Sequence, residues 1–216
     1  MKFNKSCLLG MAFAALLFTG CTPDEFEVKV STAVVEKVMA GQTGSAKAKA
    51  TFSMMGDDKD GDLKKAIAIA ERYLGSGAQI VQKAGDMGTG LSATFKIPVG
   101  TAEALSTSSA PIALVYDAQR HTLALEALPA MKRLNAELSD INMMLDVDLK
   151  GGKAIFRIAG NTDKSHKFRV FGAFVNDVPK PVDEFAVAED DDVEVRFNRS
   201  ADCVYHTVSP FLVMVQ

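Results

Sequence analysis

Several short stretches of this chain alternate apolar and polar residues, the pattern of a strand with one packed and one wet face. Phe26-Glu27-Val28-Lys29-Val30 alternates in this way, and so do Ala46 to Met54, where Ala46, Ala48, Ala50 and Phe52 interleave with Lys47, Lys49, Thr51 and Ser53. The small alanines call for something packed close against them, and a helix is the expected neighbour. Leu63, Ala66, Ile67, Ala70 and Leu74 form one helical stripe, with Asp60 or Asp62 as cap and Gly75 as stop. A shorter helix is expected over Ser31 to Met39, broken by Gly41 to Gly44. Gln79 to Lys83, Leu91 to Val99, Ile112 to Tyr116 and Thr122 to Ala127 read as further strands.

Pro129 suits the first turn of a helix carrying Met131, Leu134 and Leu138 on one face. The heptad spacing could run on through Ile141 and Leu145. A strand ending at Leu149 is preferred, because Gly151-Gly152 is a hairpin signal. The expected register sets Leu149 opposite Ala154, Val147 opposite Phe156 and Leu145 opposite Ile158, giving one wholly apolar face. Phe168 to Val175 is apolar on both faces and reads as a central strand. Pro179 and Pro181 punctuate the chain, Val193 to Phe197 and Val204 to Val215 are strands, and Pro210 marks a bend or edge.

These elements make an α+β protein with antiparallel sheets, one or two packed helices and a C-terminal part that is mostly β. The expected organisation is a signal segment over 1–20, a tether over 21–25, an α+β region over 26–128 and a mostly-β region over 129–216. The last two can equally form one domain.

Composition narrows the function. Of 216 residues, 24 are basic and 27 acidic, a formal charge of −3. A chain with no basic excess cannot neutralise a phosphate backbone, so nucleic acid is an unexpected partner. Three cysteines are too few for a disulfide-stapled scaffold.

The N-terminus reads as an address. Lys2 and Lys5 precede the apolar run Cys7 to Phe18, which is shorter than the roughly 20 residues that span a bilayer. Thr19-Gly20-Cys21 follows. With Leu17, this segment resembles the lipobox of bacterial lipoprotein precursors, although Phe18 stands where leucine is usual. The resemblance covers residues 1–21 alone. It implies that Cys21 receives a diacylglycerol, that the chain is cut before it, and that the new amine takes a further acyl group such as palmitate. Thr22, in place of an aspartate, implies by the same analogy the outer membrane of a Gram-negative cell, facing the periplasm. Removing the first twenty residues leaves 22 basic against 27 acidic residues, or −5.

Candidate chemistry is sparse. Gly56 to Asp62 places Asp58 and Asp60 as in a calcium loop but fails at both ends, at Gly56 and Ile67, so a solvated capping loop is preferred. Glu189 to Asp192 reads as an exposed acidic loop. His121, His166 and His206 lack metal-ligand spacing. Cys203 reads as a small buried hydrophobe, and the paired methionines Met54-Met55 and Met143-Met144 as core or the wall of an apolar cleft. No catalytic residue, cofactor site or metal site is assigned.

The leading expectation is therefore a lipid-anchored, non-enzymatic envelope module, held to the membrane through Cys21 and meeting an envelope protein or a lipid. The alternatives are a carrier of lipid or another apolar ligand, with its cleft between the alanine-rich strand and the Leu63 to Leu74 helix, and an exclusion lipoprotein of the phage or plasmid kind. A hydrolase using Asp58, Asp60 or Asp190 ranks last.

Overall fold

The computed structural model describes residues 24–55, 61–85, 88–141, 147–149, 153–197 and 210–215. The strands are β1 (Glu25–Ser31), β2 (Gly44–Met55), β3 (Gln79–Gly85), β4 (Gly88–Thr101), β5 (Ile112–Asp117), β6 (Thr122–Ala127), β7 (Lys153–Ala159), β8 (His166–Val175), β9 (Val178–Val187), β10 (Asp192–Phe197) and β11 (Phe211–Val215). The helices are α1 (Thr32–Met39), α2 (Asp62–Leu74) and α3 (Pro129–Ile141).

The strands do not stack as open sheets. Nine of them close a ring in the order β10-β7-β1-β2-β4-β5-β6-β11-β8, and the end of β8 returns to β10. The expected mixture of strands and helices is present, but the antiparallel arrangement is corrected in two places, because β1 pairs β7 and β4 pairs β5 in parallel. Strands from residues 26–128 and 129–216 join in the one ring. β3 and β9 lie outside it, attached to β4 and β8.

Alternation decides what faces inward. Phe26, Val28 and Val30 of β1 are buried, and so are Ala46, Ala48 and Ala50 of β2, Phe95 and Ile97 of β4, and Ala154, Phe156 and Ile158 of β7. Ala48 lies between Val28 and Phe95 in the ladder, and Ala50 between Phe26 and Ala93. The alanines thus leave room for large neighbours, and the Phe26 and Phe95 rings meet edge to face at 6.1 Å. The expected helix neighbour is present only in part: Leu63 and Ala66 share a cavity wall with Ala50 and Phe52, while cross-strand packing inside the ring accounts for Ala46 and Ala48.

Helix α1 follows β1 directly. Ser31 caps it by accepting from the Val34 N–H, and Asn161, from the loop after β7, accepts from Ala33 N–H at 2.9 Å. Helix α2 starts at Asp62, but its cap is Gly61 in a left-handed conformation with no side-chain hydrogen bond. Asp62 instead sits in the first turn and meets Lys65 at 3.0 Å. Asp60 lies outside the described residues.

The pairing expected of Val147 and Leu149 with β7 is replaced by others. Both edges of β7 are taken, by β1 on one side and β10 on the other, so Ala154 faces Phe26 and Phe197, and Phe156 faces Val28 and Val195. The inward face of β7 was legible, and its partners were not. Val147 is instead held by Asn135 of α3, whose side chain donates to the Val147 carbonyl at 2.9 Å and accepts its N–H at 3.1 Å. Leu145 and the glycine pair lie outside the described residues.

The hairpin found here turns on Asn176-Asp177, with φ of 47° and 65°. Positive φ at both central residues belongs to a type I′ turn, which Asn and Asp tolerate better than other side chains. It joins β8 to β9, so Pro179 and Pro181 lie within a strand instead of ending one. Counting from the turn, Val178, Lys180 and Val182 aim their backbone groups at β8, and both prolines aim theirs at the free edge. A strand with missing outward N–H groups cannot template further pairing there, which fits β9 to its place outside the ring.

Candidate functional site

Where β1, β4 and β5 begin and β2 nears its end, a cavity of about 120 Å³ lies between the sheet and the α2–α3 pair. Helix α2 contributes Leu63, Ala66, Ile67, Ala70 and Leu74, the stripe read from the sequence. The alanine-rich strand contributes Ala50 and Phe52 at that end only. Helix α3 adds Met131, Leu134 and Leu138, and the wall is completed chiefly by Phe26, Ile80, Leu91, Phe95, Val147 and Leu149. Every described lining residue is apolar, and the cavity is partly open to the surface. An apolar void on the order of 150 Å³ stays dry and accepts a benzene-sized ligand, so this one is of a size to hold the end of an alkyl chain or a small ring.

Sequence reasoning missed the α3 side, Val147 and Leu149. Helix periodicity exposed the α3 stripe, but it did not say which neighbour the stripe met. Val147 and Leu149 alternate like strand residues, yet they serve as wall because Asn135 captures the backbone at Val147.

The two helices over the cavity are joined by one polar cluster. Glu137 of α3 accepts from Tyr73 Oη at 2.6 Å and from Arg72 Nη2 at 2.5 Å, both of α2. The Tyr73 hydrogen bond, aided by Arg72, holds the Glu137 carboxyl below its ordinary range. The same bond, with burial, pushes the Tyr73 hydroxyl up. A depressed carboxyl contributes stability above its unfolded value, and this contribution is lost as pH falls through the folded value. The Tyr73 contribution is present below that group's unfolded value and is lost as pH rises through the raised one. Thermal melts of the wild type and Glu137→Gln should therefore differ most near neutrality, and the gap should close as pH falls below the ordinary carboxylate range. A constant gap down to acid pH would show that the carboxylate does not join the helices.

The other candidates fall elsewhere. Glu189 to Asp192 is an exposed turn, as expected. Asp191 accepts from Ala188 N–H at 2.7 Å, and Asp192 meets Lys29 at 3.1 Å. His121 lies 3.3 Å from Tyr116 Oη, through Nδ1. His166 Nε2 meets both Glu36, at 3.0 Å, and the Thr162 hydroxyl, at 3.2 Å. Because both use the same ring nitrogen, the trio cannot relay a proton between a base and a nucleophile. Among the described residues no group of three or more metal-ligating side chains gathers, and no helix is long and apolar enough to cross a membrane. Cys21, Asp58, Asp60, Cys203, His206 and Met143-Met144 lie outside the described residues, as do the side chains of Met54 and Met55. Comparison with known proteins finds no family model, no curated protein and no solved structure that matches this chain.

Proposed function

We propose that this protein is a lipid-anchored cell-envelope module that works close to the membrane without catalysing a reaction, and that it binds an apolar ligand in the cavity beneath α2 and α3. One observation carries the ligand reading: among the described residues the cavity wall is apolar throughout. Such a wall offers no acid, base or nucleophile, and it selects for molecules that gain by leaving water. The anchor reading is supported by the order of charged segment, apolar run and Thr19-Gly20-Cys21. Since β1 begins at Glu25, the tether from Cys21 is at most four residues, about 14 Å extended, so the body would stand close to the lipid surface. Placement at the outer membrane, facing the periplasm, follows from Thr22 by analogy and belongs to this proposal.

Each half has its own test. Ligand binding is read by calorimetry with a short alkane or an alkylbenzene. The wild type should bind, and Ala70→Phe, which places a ring in the void, should lose binding while keeping its fold. Wild-type protein that binds neither probe would remove the ligand reading. The anchor is read by metabolic labelling with palmitate, where the wild type should carry label and Cys21→Ser should not. Equal labelling of the two chains would remove the anchor.

A further inference from the structure

The outer wall of the ring divides into two electrostatic regions. Over β1, β7 and β10 the charges are matched. Glu25 meets Lys153 at 2.7 Å, Arg157 meets Glu27 at 3.2 Å and Glu194 at 2.7 Å, and Lys29 meets Asp192 at 3.1 Å. The carboxylates of β1 are thus engaged by strands on its β7 side. On its other side the ladder sets Lys29 directly opposite Lys47, and Lys47 directly opposite Lys96, a row of three lysines across β1, β2 and β4. Lys49 stands one pleat from Lys47 on the same face of β2, opposite Glu27, which Arg157 already holds.

Among the described residues no carboxylate lies within ion-pair distance of Lys47, Lys49 or Lys96. Like charges directly opposed across strands destabilise a sheet. Among the described residues no ion pair offsets this set, although the chain as a whole carries excess acid. Lys47 and Lys96 are exposed, so their ammonium groups are open to a partner.

The geometry points to an interaction surface for anionic phospholipid headgroups, formed by Lys47, Lys49 and Lys96 with Lys29 at its margin. The position of the tether selects lipid over other anions, and that argument rests on the proposed anchor at Cys21. The tether leads directly into β1, which carries Lys29 and pairs with the strand bearing Lys47 and Lys49. A basic patch on the wall that a lipid tether enters supplies a second signal that strengthens membrane binding, and each lysine near an anionic surface adds to it. The two together would lay the β1–β2–β4 wall against the bilayer and fix the orientation of the molecule.

The test is lysine footprinting on the full chain, purified from membranes and reconstituted into two kinds of vesicle. One is phosphatidylcholine alone, and the other is phosphatidylcholine with phosphatidylglycerol. A water-soluble acylating reagent is applied, and the extent of reaction is read at each lysine by mass spectrometry. Lys47, Lys49 and Lys96 should react about fivefold more slowly on the anionic vesicles. High salt should abolish this difference, because exposed charges are screened. Lys37, Lys64 and Lys132, exposed on the three helices, should react alike on both. Equal reactivity of the row on the two vesicles, or protection shared by the helix lysines, would overturn the proposal. Flotation with the neutral vesicles reports the anchor by itself, so failure of the anchor and failure of the lysine surface give different results.

Discussion

Phe156→Ala should destabilise the protein by about 3–5 kcal/mol, the usual cost of removing a fully buried aromatic ring. The ring is wholly inaccessible, stands between Val28 and Val195 in the ladder, and packs edge to face against Phe197 at 5.8 Å. β7 joins β1 to β10, so the void would open where three strands share one wall. Chemical denaturation followed by circular dichroism would give the difference. A loss under about 1 kcal/mol would mean that the site collapses around the void, or that β7 does not occupy the middle of this wall.

Gly160→Ala should cost about as much, for a different reason. A Cβ there would lie 1.6 Å from the Ala188 carbonyl oxygen and 2.8 Å from its carbon, so backbone itself blocks the space. Gly160 also donates to Asp191 O at 2.8 Å and accepts from Asp190 N–H at 3.1 Å, tying the exit of β7 to the turn before β10. Adding a methyl must push these segments apart and break both bonds, a cost of about 3 kcal/mol or more where no flexible side chain can yield. The expected result is a large fall in melting temperature, together with faster amide exchange at Asp190 and Asp191. A near-neutral variant would show that the loop shifts without resistance and that the close approach does not hold β10 in place.

Both positions show what the sequence could disclose. Alternation identified the inward faces of β1, β2, β4 and β7, because burial on one side leaves a period of two. Periodicity likewise exposed the α2 stripe that lines the cavity. Partner choice was not legible. The Leu145-to-Leu149 alternation matched β7 as well as β1 does, yet β1, more than a hundred residues away in the chain, fills that edge. The prolines of β9 argued for a break, and only the knowledge that this strand forms an edge makes them acceptable. Gly160 carried no local signal, since its need for a bare backbone comes from a loop about 30 residues further on. The cavity was partly readable as a helix against the alanine-rich strand, but its α3 wall depends on Asn135 capturing Val147, a contact without a pattern in the chain.

The place of β11 in the ring bears on when the chain can fold. β11 closes the gap between β6 and β8, so each of those strands has an unfilled edge until Phe211 to Val215 arrives. The β1–β7 pairing must likewise wait for some 125 intervening residues to be brought together, a closure entropy that comes before any stabilising contact. A growing chain would therefore remain without its closed ring until residues 211–215 had been made. Under the export proposed above for residues 1–20, that delay has a use. It would keep the polypeptide threadable through a narrow translocation channel, and the ring would first close on the far side of the membrane.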